Sequence, residues 1–308
     1  MKVLYLSGAR GPDYLCDVIF HGLRSLLGSD VVDVNRLNFM YRETAANWTA
    51  FTLYNLLPAD PEPDRSDIEH KIRTKFFDII LYGSVLRDRQ FLPLVLETYP
   101  HNRIGFLDGE DEIDTSYIGY ERIPEQNLHY WEHPGMTVPR DCPYFKRELT
   151  STSRAIPISF GIPKEKINDP IPDKVRLMAL CDPRDRSTYV YSMENQADYY
   201  RQYGESYFGF TRRQGGWDCM RHYEIMAAGA VPYFENIENC PEGTLTFLPK
   251  DSLKTAKILH DNWTGSKADL EGRADLEGYR TVSNRIRFAL MNYLTTEALA
   301  KYVLERVK

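Results

Sequence analysis

The sequence predicts an α/β protein made of two successive units, each a parallel sheet covered by helices. Short β-rich apolar runs alternate with segments of helical period along most of the chain. The first unit opens as strand–helix–strand, and a proline-rich stretch over residues 162–173 separates it from a second run of the same kind. A length of 308 residues also suits two cores of about 150 residues better than one. The expected units are residues 1–163 and 164–308.

Residues 3–9 (VLYLSGA) form the first expected strand, and Gly8, Gly11 and Pro12 mark the turn after it. Val18, Ile19, Phe20, Leu23, Leu26 and Leu27 then repeat at helical spacing until Gly28 closes the segment. Residues 30–34 (DVVDV) are a second strand, and the aromatic, proline-punctuated stretch 39–65 is an excursion over the core. Residues 76–84 read as a buried strand, 87–98 as a helix and 103–108 (RIGFLD) as a strand delivering an acidic run. Little periodicity marks 118–143, and 155–161 (AIPISFG) closes the unit. The second unit restarts with a strand at 174–182, a turn at 183–186 and a helix over 188–203. A strand at 207–210, a helix at 218–228 stopped by Gly229, and a strand at 230–234 follow. A further strand is expected at 244–248, then helices at 253–263 and 284–307.

Composition excludes several classes. Apolar residues make up 43% and charged residues 27%, which rules out a disordered or fibrous chain. No apolar run approaches the roughly 20 residues that span a bilayer, and the amino terminus lacks a secretory core, so a cytoplasmic location is expected. Five scattered cysteines without CxxC spacing give neither a disulfide framework nor a zinc site, and no metal centre is expected. Residues 1–163 carry 17 basic and 23 acidic side chains, and the remainder 21 of each. No basic face is apparent, so DNA is a disfavoured partner.

Chemistry concentrates in residues 211–229, TRRQGGWDCMRHYEIMAAG, which join a strand to a helix. Gly215 and Gly216 allow close approach of a ligand, and the helix behind them presents free N–H groups and a positive dipole end. Arg212 and Arg213 can neutralise phosphates, and Arg221 and Glu224 share one helix face. Neither GxGxxG nor GxxxxGK[ST] occurs, which removes the main support for dehydrogenase or P-loop readings. The same residues read equally well as a turn, an N-cap at Asp218, a surface ion pair and core packing. Trp217 fits packing better than ligand stacking, and His222 fits a structural histidine.

The string GGWDCMRHYEIMAAGAVPYF is similar to the carboxyl-terminal signature of GT-B glycosyltransferases, with Gly215, Gly216, Glu224, Ala227, Gly229 and Pro232 at the matching positions. LYLSGARGPDYLCDVIFHGLRSLLG, FLDGEDE and YFKREL also resemble bacterial and phage family 1-like members of that group. One departure is Gly216, which stands eight residues before Glu224 where retaining enzymes of the EX7E type carry their first Glu.

The resemblance implies two Rossmann-like domains facing a cleft, with acceptor on the first and nucleotide sugar on the second. It implies transfer of a sugar from a nucleotide-diphosphate donor to a hydroxyl acceptor such as a glycan, a small molecule or a modified nucleobase. In that setting Arg184, Arg212 or Arg213 would stabilise the leaving phosphates, Glu224 would hold the ribose, and Gly215, Gly216, Trp217 and Arg221 would complete the donor site. The donor is a co-substrate, and no further cofactor is implied. Ligands of open α/β sheets gather at strand carboxyl ends, where Asp108, Asp13 and Glu110 are the carboxylates available as general base. Asp108 leads because it ends its strand. The acids of GEDEID keep a divalent cation open as an alternative. An epimerase of the same architecture and a non-catalytic nucleotide-sugar or glycan-binding module also stay open.

Overall fold

The computed structural model describes residues 1–8, 12–42, 52–111, 130–133, 136–150, 155–189, 191–192, 194–263 and 274–308. Six strands form the larger sheet: β1 (Val3–Leu6), β2 (Val31–Asp33), β3 (Ile79–Tyr82), β4 (Ile104–Asp108), β7 (Tyr144–Lys146) and β8 (Ile156–Pro157), in the order β2-β1-β3-β4-β7-β8. Every pairing in it is parallel. A smaller parallel sheet has the order β11-β10-β9, from β9 (Arg176–Met178), β10 (Ser206–Thr211) and β11 (Val231–Phe234). The structure is thus α/β with two Rossmann-like parallel sheets. Strands β5 (Tyr130–His133) and β6 (Met136–Pro139) make a separate antiparallel pair.

Both faces of the larger sheet are covered, as an all-parallel sheet requires. Val3 and Tyr5 of β1 enter one apolar cluster while Leu4 and Leu6 enter another, the two-residue alternation of a strand. Helix α1 (Tyr14–Leu27) buries Leu15, Val18, Ile19, Phe20 and Leu23. The Asp13 carboxylate caps it by accepting from the Cys16 N–H at 3.3 Å, and Gly28 ends it at φ 56°, a conformation costly for a side chain. Two short helices, α2 (Ile68–Arg73) and α3 (Leu92–Thr98), cover the opposite face with Ile68, Ile72 and Val95. Beside the smaller sheet α4 (Gln196–Gly204) and α5 (Met220–Ala228) enclose Tyr199, Tyr203, Ile225 and Ala228. Gly229 stops α5 at φ 96°.

The chain ends with α6 (Lys250–Asp261), α7 (Ala274–Tyr293) and α8 (Thr296–Arg306). The single helix expected at 284–307 is broken, because Thr295 caps α8 by accepting from the Ala298 N–H at 3.2 Å. Ile162 is hydrogen-bonded at this break through Leu294 and Thr296. Helix α8 then packs on α1, where Gly22 lies so close to the Thr296 carbonyl that no Cβ fits. Residues 244–248 form turns rather than the expected strand, with the Leu248 N–H reaching the Leu245 carbonyl at 3.1 Å. The helix expected from residue 188 begins at Gln196, since Asp185 draws Ser187 and Thr188 into a turn. Strand β7 went unnoticed because its three residues are too few to show a period.

No helix among the described residues is long and apolar enough to cross a membrane.

Candidate functional site

A cleft of about 540 Å³ lies where the carboxyl ends of both sheets meet. Residues 12–14 after β1, 109–111 after β4 and Arg147 after β7 form one wall. Residues 214–216 after β10, the start of α5 and Tyr189 and Tyr191 form the other. Of the residues singled out by the sequence, Asp13, Glu110, Gly215, Gly216, Arg221 and Glu224 line it.

Glu224 is buried on α5, and one carboxylate oxygen accepts from the Thr52 hydroxyl at 2.5 Å. The other accepts from the Tyr199 hydroxyl at 2.8 Å. Thr52 Oγ1 also lies 2.7 Å from the Tyr191 hydroxyl and 2.9 Å from that of Tyr200. A threonine hydroxyl has one proton and two lone pairs. Its proton goes to Glu224, so both tyrosines donate to it. The first wall therefore reaches across the cleft to the carboxylate expected to hold a ribose. Burial pushes the Glu224 carboxyl above the usual carboxylate range, opposed by the Thr52 and Tyr199 hydrogen bonds.

Arg221 stands one helical turn before Glu224. It lines the cleft at 8% exposure, and its Nε donates to the Tyr189 hydroxyl at 3.3 Å. Its guanidinium also lies over the Tyr189 ring, 5.0 Å from the centroid. Its Nη1 is buried without a hydrogen-bond partner among the described residues. A buried guanidinium nitrogen without a partner is an acceptor-seeking group, here on a residue that lines the cleft.

Arg147 is also buried, but it is fully engaged. Its Nε and Nη2 donate to the Gly109 carbonyl at 3.1 and 3.0 Å, its Nη1 to Glu148 at 2.9 Å and to the Asp218 carbonyl at 2.5 Å. Asp111 pairs with its Nη2. The Gly215–Gly216 turn lies against this group: a Cβ on Gly215 would collide with the Asp111 carboxylate, and one on Gly216 first with Glu148 and then with Arg147. The need for two glycines thus arises from the Asp111–Arg147–Glu148 group on the facing wall.

Asp218 does not cap α5. Its carboxylate accepts from the Phe160 N–H at 2.8 Å and the Tyr223 hydroxyl at 2.7 Å, and Cys219 takes the cap position without a side-chain cap bond. Behind the cleft, His222 joins Thr211 Oγ1 at 2.9 Å and the Trp217 carbonyl at 2.8 Å, and burial lowers its pKa to about 4. It is a neutral fastener of β10 to α5. Asp13 accepts from the Ser84 hydroxyl at 2.6 Å and lies 3.7 Å from Arg87 Nε.

Five expected site residues lie outside the cleft lining. Asp108 sits opposite Lys146 in the β4–β7 register, paired with its ammonium at 3.2 Å and accepting from Tyr144 at 2.8 Å. Its carboxylate is spent inside the sheet. Arg184 grips Asp182 and lies over Phe210, 3.7 Å from the ring centroid. Arg213 lies over Trp217 and donates to the Gly215 carbonyl at 3.3 Å, while Trp217 packs on Phe234. Arg212 does not border the cleft either.

Sequence reasoning missed Thr52, Arg147 and the Tyr189, Tyr191, Tyr199, Tyr200 group. Arg147 carried no local signal, since it follows the three-residue strand β7, which is too short to show a period. The only cluster of three metal-type ligands among the described residues lies elsewhere: His101, Asp141 and Cys142, with ligand atoms within 4.8 Å of one another. That group joins the turns before β4 and β7, away from the cleft.

Comparison of the chain with known protein families, curated proteins and solved structures finds no match.

Proposed function

We propose that this cleft is the active site of a glycosyltransferase that moves a sugar from a nucleotide-diphosphate donor to a hydroxyl acceptor. The single observation that carries the reading is Arg221, a buried cation with an orphaned donor in a cleft between strand carboxyl ends. Residues 164–308 are the donor side and residues 1–163 the acceptor side. Arg221 neutralises the leaving phosphates. Glu224 takes the ribose hydroxyls in exchange for Thr52. Asp13, held by Ser84 and Arg87, is the general base, with Glu110 as the second carboxylate on that wall. The base removes the acceptor proton, the acceptor oxygen bonds to the anomeric carbon, and the bond from that carbon to the phosphate oxygen breaks to release the nucleoside diphosphate.

Thermal shifts with UDP, GDP, dTDP, ADP and CDP test the donor site. A ligand at 100 times its Kd adds about 2.7 kcal/mol, and one nucleotide is expected to stabilise the wild type but neither Arg221→Gln nor Glu224→Gln. Nucleoside diphosphate release that needs an acceptor is the expected activity. Release without one points to an acceptor-free reaction, and binding without turnover to a binding module.

A further inference from the structure

At the amino ends of its strands, away from the cleft, the larger sheet gathers three side chains of metal-ligand type. Strands β4 and β7 pair in parallel, so the turns that lead into them lie side by side. The first turn carries His101 and is closed by the Arg103 N–H on the Pro100 carbonyl at 2.9 Å. The second carries Asp141 and Cys142 and is closed by the Cys142 N–H on the Pro139 carbonyl at 3.2 Å. The ligand atoms of the three side chains all lie within 4.8 Å of one another. Because 40 residues separate His101 from Asp141, no spacing rule reveals the set.

The three side chains differ in how firmly they are held. Cys142 is buried in the apolar cluster with Tyr99, Ile104 and Tyr144, and its thiol makes no hydrogen bond among the described residues. His101 is half-buried and Asp141 exposed, with the imidazole Nδ1 2.8 Å from both carboxylate oxygens. As an ion pair near solvent that contact contributes little, and it leaves the adjacent thiol unused. Thiolate, imidazole and carboxylate together are the donors of a zinc-type ion, whereas Mg²⁺ and Ca²⁺ take oxygen alone.

We propose that His101, Asp141 and Cys142 form a binding site for Zn²⁺, which ties the turn before β4 to the turn before β7. The ion bonds to Cys142 Sγ, one imidazole nitrogen and one carboxylate oxygen, and water takes the fourth position. Zinc–ligand bonds of about 2.0–2.3 Å place tetrahedral ligands about 3–4 Å apart. Rotation of the two surface side chains towards the fixed thiol therefore closes the set on the ion. On binding, the S–H bond breaks, its proton passes to solvent, and the sulfur electron pair forms the Zn–S bond without oxidation or reduction.

The test is titration of the full chain, freed of metal, with Co²⁺ as a coloured substitute for zinc. One ion per chain is expected, with a thiolate-to-cobalt charge-transfer band in the near ultraviolet. Zn²⁺ is expected to displace it, since zinc binds such donors more tightly than cobalt. Cys142→Ala is expected to abolish the band. His101→Ala and Asp141→Asn change surface positions and leave the core intact, and each is expected to weaken binding by about tenfold or more. Zn²⁺ at about 100 times its Kd is expected to raise the thermal midpoint of the wild type by about 5 °C, and that of His101→Ala by about half as much. Absence of bound Co²⁺, a bound ion without the thiolate band, or a band that persists in Cys142→Ala overturns the site. Unchanged affinity in either His101→Ala or Asp141→Asn overturns the three-ligand set.

Discussion

Arg147 and Arg221 stand on facing walls of one cleft, both buried, and they differ in what surrounds them. Arg147 spends its N–H groups on two carboxylates and two backbone carbonyls, and so joins the end of the larger sheet to the loop before α5. Arg221 has a tyrosine hydroxyl, a tyrosine ring and an orphaned nitrogen. A buried charge with a full set of partners is structure; one with a partner missing is what the proposed function takes as its binding group. The carboxylates differ in place rather than in partners, since Asp13 and Glu224 are hydrogen-bonded too. Asp108 is paired inside the sheet, whereas Asp13 and Glu224 line the cleft.

The largest effect that would break this contrast is on stability. Arg147→Met leaves Glu148 buried without its cation, and loss of one partner from a buried pair costs about 3–5 kcal/mol. Urea denaturation is expected to show a loss of that size, while Arg221→Met changes stability by less than about 1 kcal/mol because it strands no carboxylate. Equal losses in the two variants would erase the distinction. Ligand binding should invert the order. A hydrogen bond to a charged group contributes about 1.5–3 kcal/mol, so Arg221→Met is expected to weaken nucleotide binding at least tenfold by calorimetry.

Acidity sharpens the contrast between the two neighbours His222 and Glu224 on α5. The His222 pKa falls to about 4 in the fold because burial disfavours its charged form. Its contribution is therefore present above about pH 6.5 and is lost as pH falls towards 4, amounting to about 3 kcal/mol. Glu224 has the opposite sign: its pKa is raised by burial, so its contribution is full below the usual carboxylate pKa and is lost as pH rises through the folded value. Urea midpoints from pH 4 to 8 are expected to show a shallower acid limb in His222→Gln. The advantage of Glu224→Gln over wild type should grow with pH across the lower part of that range. Thr52→Val removes a hydroxyl that bonds Glu224 and two tyrosines, and is expected to cost about 1.5–3 kcal/mol in urea denaturation.

Much of the scaffold was legible. The strands β1, β3 and β4 announce themselves because buried parallel strands need apolar runs, β2 because its valine pair follows α1 at a turn's distance, and α1 because its apolar residues keep a helical period before a glycine. Strand β7 was not legible, being three residues supported by neighbours distant in sequence. In the site, the Gly215–Gly216 turn and the Arg221–Glu224 face could be found because they are local in the chain. The fates of Asp108 and Trp217 could not, since Lys146 and Phe234 are tertiary partners. Thr52 was hidden for the same reason, 172 residues before the carboxylate it bonds.

The seating of α8 on α1 has a consequence for how the protein is made. His21 of α1 bonds Thr296 at 2.9 Å, Tyr302 bonds the Pro157 carbonyl at 2.8 Å, and Val307 packs against Gly105 of β4. A ribosome delivers the chain in sequence order, so the first sheet emerges with one of its helices still uncovered. It waits through the synthesis of the whole second sheet before residues 296–307 leave the exit tunnel. The larger sheet therefore waits for a helix made after the smaller one, and a nascent chain halted between the two presents an apolar helix face to the chaperones of the cell.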